Sequence, residues 1–159
     1  MSLKVGDQAP DFTLFNQEAS QVSLHDYMGK NVVLLFFPFA NTGVCTKEMC
    51  TLRDDYKTYE ELDAQVLGIS VDSLFALKLW SEKNNSNFPM LSDFNKEVSK
   101  SYDVLYDNFA GGKFNYKGVA MRSAFVIDKD GIIKYAESLE DAGKEPNYEA
   151  IKITLNELK

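Results

Sequence analysis

At 159 residues, 45% hydrophobic and 26% charged, the chain has about the length of one domain and the composition of a globular protein. Seventeen basic against 24 acidic residues leave a net charge of −7, and no two basic residues are adjacent, which argues against a nucleic-acid-binding face. The longest apolar run, Val32 to Ala40 with Pro38 inside it, is far shorter than the roughly 20 residues a membrane-spanning helix needs, and Met1 to Asp7 lacks the apolar stretch of a secretory signal.

Asp11 to Phe15 and Gln21 to Leu24 alternate polar and apolar residues around a polar turn, which predicts a short edge hairpin. Asn31 to Phe37 is a β-branched and aromatic run suited to a strand buried on both faces, ending at Pro38, which has no N–H for a ladder. From about Thr46 the spacing of Met49, Leu52, Tyr56, Tyr59 and Leu62 predicts a helix. Gln65 to Val71 reads as a second buried strand, and Ser73 caps a helix that turns Leu74, Leu77 and Trp80 inward. Phe88 to Leu91 is extended and Lys96 to Tyr102 helical, while Gly111-Gly112 and Gly118 mark a flexible loop. Ala124 to Tyr135 is two strands about an Asp130-Gly131 turn, and Asn147 to Leu158 is a closing helix with Ile151 and Leu155 inward. The expected architecture is α/β: one domain over residues 1–159, with a mixed central sheet, helices on both faces and an N-terminal β-hairpin.

Two cysteines and one histidine are too few for a four-ligand zinc site, and no metal or organic cofactor is expected. Reduced thiols and a cytoplasmic location are the expected setting. Cys45 follows Pro38 by a short loop and falls where the long helix begins. Unpaired N–H groups and the helix dipole there favour a thiolate, so the spacing predicts a lowered thiol pKa. Thr42, three residues earlier, can turn its hydroxyl toward the sulfur or serve as an ordinary N-cap. Position alone leaves a reactive thiol and an inert buried cysteine both open.

Pro38-x-x-x-Thr42-x-x-Cys45 resembles the active-site motif of the peroxiredoxins, and Met121-Arg122-Ser123-Ala124-Phe125-Val126-Ile127-Asp128 resembles that family's second signature. Glu48 also matches a frequent family position. The similarity runs from Gly6-Asp7-Gln8-Ala9-Pro10-Asp11-Phe12 to Ile127-Asp128-Lys129-Asp130-Gly131, and Trp80 with Phe88 to Asp93 resembles the alkyl hydroperoxide reductase E-like branch. The resemblance implies a thioredoxin-like fold and a thiol-dependent peroxidase that reduces hydrogen peroxide and organic hydroperoxides through a sulfenic acid on Cys45. It assigns Arg122, Thr42 and the N–H groups of Val44 and Cys45 to the sulfur and the peroxide oxygens, Pro38 to shielding the thiolate, and Glu48 to orienting Arg122. The reductant it implies is thioredoxin, glutaredoxin or a low-molecular-weight thiol, and the assembly a homodimer packed through loops around the active site, with neither nucleic acid nor membrane as a partner.

Cys50 has two readings. The spacing C-x-x-x-x-C resembles the bacterioferritin comigratory protein branch, in which the second cysteine resolves the first. On an ideal helix, however, five residues rise about 7.5 Å and turn about 140°, so the Cα atoms lie roughly 8–9 Å apart. A disulfide spans about 4.4–6.8 Å, and the first turns must unwind to make it. The other reading is a buried Cys50 beside Met49.

Two non-peroxidase readings remain: a dithiol oxidoreductase, against which the absence of C-x-x-C counts, and a redox sensor whose oxidised Cys45 alters a binding surface. His25 is expected at the surface, Arg53 in a structural role, and Asp54-Asp55 and Glu60-Glu61 on solvated helix faces.

Overall fold

A computed structural model describes residues 3–159; Met1 and Ser2, part of the N-terminal stretch and of the expected 1–159 domain, lie outside it. The strands are β1 (Thr13–Asn16), β2 (Gln21–Ser23), β3 (Asn31–Phe36), β4 (Ala64–Ser70), β5 (Met90–Ser92), β6 (Leu105–Tyr106), β7 (Val119–Ala120), β8 (Ser123–Ile127) and β9 (Ile133–Ser138). The α-helices are α1 (Gly43–Asp54), α2 (Tyr56–Glu61), α3 (Leu74–Asn84), α4 (Glu97–Ser101) and α5 (Tyr148–Glu157). Seven strands form one mixed sheet in the order β2-β1-β5-β4-β3-β8-β9, and β6 pairs with β7 separately. The fold is thioredoxin-like α/β.

Strand β3 lies inside the sheet, next to the central β4, and is parallel to β4 and antiparallel to β8. Successive strand side chains point to opposite faces, so Val32, Leu34 and Phe36 enter one core and Val33, Leu35 and Phe37 the other. Met49 and Leu52 of α1, Tyr59 of α2, Leu77 and Trp80 of α3, and Ile151 and Leu155 of α5 cover the second face. The first is covered by Val98 of α4, Tyr102, Phe12 and Leu24, together with β6 and β7. Helices therefore lie on both faces, unevenly. None of the described helices is long and apolar enough to cross a membrane.

Ser73 Oγ accepts from Ala76 N–H at 3.2 Å, as the capping pattern predicts, and Asn147 Oδ1 accepts from Ala150 N–H at 3.0 Å to start α5. The β8–β9 turn uses Gly131 at φ +83, where an added Cβ would lie 2.6 Å from Gln8 Nε2. Three details differ from the sequence expectation. Helix α1 begins at Gly43 rather than Thr46, because its first turn carries no apolar stripe to mark it. The long helix breaks at Asp55 (φ −103, ψ 11), where Lys152 of α5 makes an ion pair. The two-residue strands β6 and β7 are too short to show alternation and flank the glycine-containing loop.

Candidate active site

The sheet register explains how residues 77 apart in sequence meet. Phe36 at the end of β3 pairs with Ser123 at the start of β8. The Pro38–Thr42 loop leaving β3 and Arg122, immediately before β8, therefore emerge at the same end of the sheet. Asn41 at φ +65 and an extended Thr42 turn the chain into α1, where Cys45 is the third helical residue. The Asp72 carboxylate, after β4, accepts from Ala40 N–H at 2.7 Å and fixes this loop to the sheet.

Thr42 occupies the N-cap position but does not cap. Its hydroxyl donates instead to the Phe39 carbonyl at 3.0 Å and lies beside the Cys45 sulfur. The first main-chain bond of α1 joins Thr46 N–H to the Thr42 carbonyl at 2.9 Å. The N–H groups of Gly43, Val44 and Cys45 consequently have no acceptor within the helix and carry the positive end of its dipole.

Arg122 is 1% exposed and its guanidinium makes four directed hydrogen bonds. Nη2 donates to Cys45 Sγ at 3.0 Å and to the Ala142 carbonyl at 3.0 Å, Nε to the same carbonyl at 3.2 Å, and Nη1 to Glu48 Oε2 at 3.1 Å. Glu48 is itself buried, and its Oε1 has no hydrogen-bond partner among the described residues. Burial, opposed by Arg122, pushes the Glu48 carboxyl up to about 7. The loop bearing Ala142 is tied back by Leu139 N–H to the Arg122 carbonyl at 2.8 Å and by the Tyr106 hydroxyl to the Leu139 carbonyl at 2.7 Å.

The lowered thiol pKa predicted for Cys45 is corrected by this geometry. A helix start favours an ionised sulfur, but the residue is only 1% exposed, and burial pushes the thiol up. Arg122, the Thr42 hydroxyl and a main-chain hydrogen bond from Phe39 pull it down without overcoming that cost, and Glu48 adds to it. Desolvation favours the neutral form, a contribution that helix position alone does not reveal.

Pro38, Thr42, Cys45 and Arg122 thus converge on one cleft of 340 Å³, with Glu48 behind the guanidinium. Cys50 lies elsewhere on α1, its sulfur 3.9 Å from Asn84 Oδ1, and both thiols are free. Trp80, behind the site, packs its ring 5.2 Å from Phe37 and donates Nε1–H to Thr46 Oγ1 at 3.0 Å. His25 is exposed and paired with Asp11 at 2.8 Å, and Arg53 bonds the Asn84 carbonyl and Asp54. Two contributors carry no sequence signal read above: the Ala142 carbonyl, a main-chain group, and Phe109, which lines the cleft from the glycine-containing loop.

Residues 5–136 match the AhpC/TSA family. Alkyl hydroperoxide reductase E of Mycobacterium tuberculosis is 43% identical over 138 residues, 85% of each chain. A putative peroxiredoxin bcp of Coxiella burnetii is 42% identical over 133 residues, covering 84% of this chain and 87% of the relative. Among solved structures, peroxidoxin BcpB from Mycobacterium tuberculosis superimposes with a TM-score of 0.85 at 30% identity and 99% coverage of both chains.

Proposed function

We propose how the sulfur of Cys45 acts in a chain that belongs to the AhpC/TSA family and is a thiol-dependent peroxidase. The observation that carries the reading is the 3.0 Å contact between Cys45 Sγ and a buried, permanently charged Arg122. The Cys45 thiolate attacks the terminal oxygen of a hydroperoxide in line with the O–O bond. The S–O bond forms as O–O breaks; sulfur loses two electrons and the peroxide gains them. The departing oxygen takes a proton and leaves as water or an alcohol, with Cys45 as the sulfenic acid. Charge developing on that oxygen meets donors already in place, Arg122 and the N–H groups of Val44 and Cys45, and the Thr42 hydroxyl joins them by turning from the Phe39 carbonyl. Pro38 walls the sulfur from water and offers no N–H. Glu48 is a positioning residue, acting through Arg122.

One external thiol then condenses with the sulfenic acid, releasing water and leaving a mixed disulfide, and a second thiol restores Cys45. Thioredoxin, glutaredoxin or a low-molecular-weight thiol fits this role. The chain acts as one domain over residues 1–159 in the cytoplasm, where free thiols such as Cys45 and Cys50 stay reduced. It pairs as a homodimer packed through loops near the site. Support comes from exposed Phe94, which shares a cleft with Phe39 of the catalytic loop.

Cys50→Ser protein given one equivalent of hydrogen peroxide and a sulfenic-acid trap should carry the label on Cys45, located by peptide mass spectrometry. A label elsewhere, or none, removes Cys45 as the nucleophile. In wild type Cys50 offers a second route, attacking the Cys45 sulfenic acid in place of the external thiol. Both cysteines lie within α1, so their disulfide requires the helix start to unwind. A Cys45–Cys50 linked peptide after the same treatment supports this route; a persistent Cys45 sulfenic acid beside free Cys50 leaves resolution to the external thiol alone.

A further inference from the structure

The direction in which Arg122 points is governed by a strap, residues 139–143, that follows β9. Leu139 N–H bonds to the Arg122 carbonyl at 2.8 Å and extends the β8–β9 ladder by one rung beyond the Ser123–Ser138 pair. Three residues later the Ala142 carbonyl accepts from Nε at 3.2 Å and Nη2 at 3.0 Å, along one edge of the guanidinium. The strap turns here on the Asp141 carboxylate, which accepts Gly143 N–H at 2.9 Å. The Tyr106 hydroxyl touches both parties. It donates to the Leu139 carbonyl at 2.7 Å and accepts the Arg122 main-chain N–H at 3.4 Å, the longer and weaker of the two bonds. Tyr106 is itself fixed: it is buried in β6, its carbonyl accepts Gly118 N–H at 3.0 Å, and its ring packs 6.1 Å from Phe109. It does not line the cleft, whereas Asp141, Ala142 and Gly143 form one wall of it.

We propose that Tyr106 is a positioning residue for the peroxidase reaction: its hydroxyl holds the strap against Arg122, and the strap holds the guanidinium on the Cys45 sulfur. This rests on the peroxidase reading of Cys45 given above. A donor stabilises developing charge only when it is already aimed, and a misplacement of about 1 Å caused by a distant change can cost about 10²-fold in rate. Without the hydroxyl, the Leu139 carbonyl and the Arg122 N–H each lose a partner, the strap moves off, and Glu48 alone directs the guanidinium. The cation that pulls the Cys45 thiol down then sits farther from the sulfur.

Tyr106→Phe keeps the ring and removes only the hydroxyl. In a Cys50→Ser background, where Cys45 is the one thiol, two readouts separate positioning from support of the fold: single-turnover oxidation by hydrogen peroxide, and the pH dependence of Cys45 alkylation by iodoacetamide. The variant should oxidise about tenfold more slowly, with its thiol titrating at higher pH. A rate within about twofold of the Tyr106 protein with an unmoved thiol titration overturns the proposal, even where the urea midpoint falls. Asp141→Ala and Asp141→Asn, equal in charge, test the strap without touching Tyr106 and decide the matter should the phenylalanine variant not fold. Asparagine keeps the turn onto Gly143 N–H and alanine does not, so the alanine protein should oxidise several-fold more slowly than the asparagine protein; equal rates overturn the role of the strap. The alkylation profile needs no peroxide. If the Tyr106 protein does not oxidise while Tyr106→Phe still moves that profile, the peroxidase reading falls and the positioning of Arg122 stands.

Discussion

Replacing Arg122 by alanine should slow the oxidation of Cys45 by peroxide about 10²–10³-fold, the scale set by losing a preorganised donor to a developing oxyanion. Two effects act in the same direction. The sulfur loses the cation that pulls its pKa down, so burial acts unopposed by that charge and less thiolate is present at neutral pH. The departing oxygen loses its principal charged donor. The fold should survive, because Glu48, left without its partner, can take up a proton rather than remain a buried anion. Arg122→Lys should recover little, since one ammonium cannot meet Cys45, Glu48 and the Ala142 carbonyl at once. Stopped-flow oxidation and a thiolate absorbance titration check both effects together; a rate within threefold of wild type with an unmoved thiol titration would falsify the role assigned to Arg122.

Glu48 should make the protein lose stability as the solution becomes less acidic. Its carboxyl is pushed up from an ordinary 4.5 to about 7 in the folded chain. Between those values the native state holds a proton that the unfolded chain has released, so stability is greatest below about 4.5 and declines as pH rises through 7. At about 1.4 kcal/mol per pH unit, the window amounts to roughly 3 kcal/mol. Glu48→Gln cannot ionise and should lack this decline, while relieving Cys45 of a nearby negative charge and lowering its thiol titration. Urea denaturation of both proteins at several values from pH 4.5 to 8 isolates the effect, because groups remote from the site cancel in the difference. A constant gap between the two proteins across that range rules out a buried titrating Glu48.

The parts of the site visible in sequence are those whose chemistry resides in a side chain beside a strong strand. Asn31 to Phe37 and Ala124 to Ile127 are unmistakable apolar runs, so Pro38, Thr42, Cys45 and Arg122 could be placed at their ends, and the pairing of β3 with β8 brings them together. What was not visible depends on enclosure or on the main chain. The upward push on the Cys45 thiol needs a third dimension, since helix position predicts the opposite direction. The carbonyl that aligns Arg122 belongs to Ala142, whose side chain carries no polar signal. The glycine-containing loop reads as plain flexibility, yet Phe109 packs it against Phe39 as one wall of the cleft.

Trp80 is the chain's one tryptophan, and its indole N–H is bonded to Thr46, the residue after Cys45. Unwinding of the helix start breaks that bond and changes the ring's surroundings and its tilted packing on Phe37. The protein therefore carries an intrinsic fluorophore bonded to the residue beside its nucleophile, and a change in unlabelled emission on peroxide addition is the expected sign that the helix start opens.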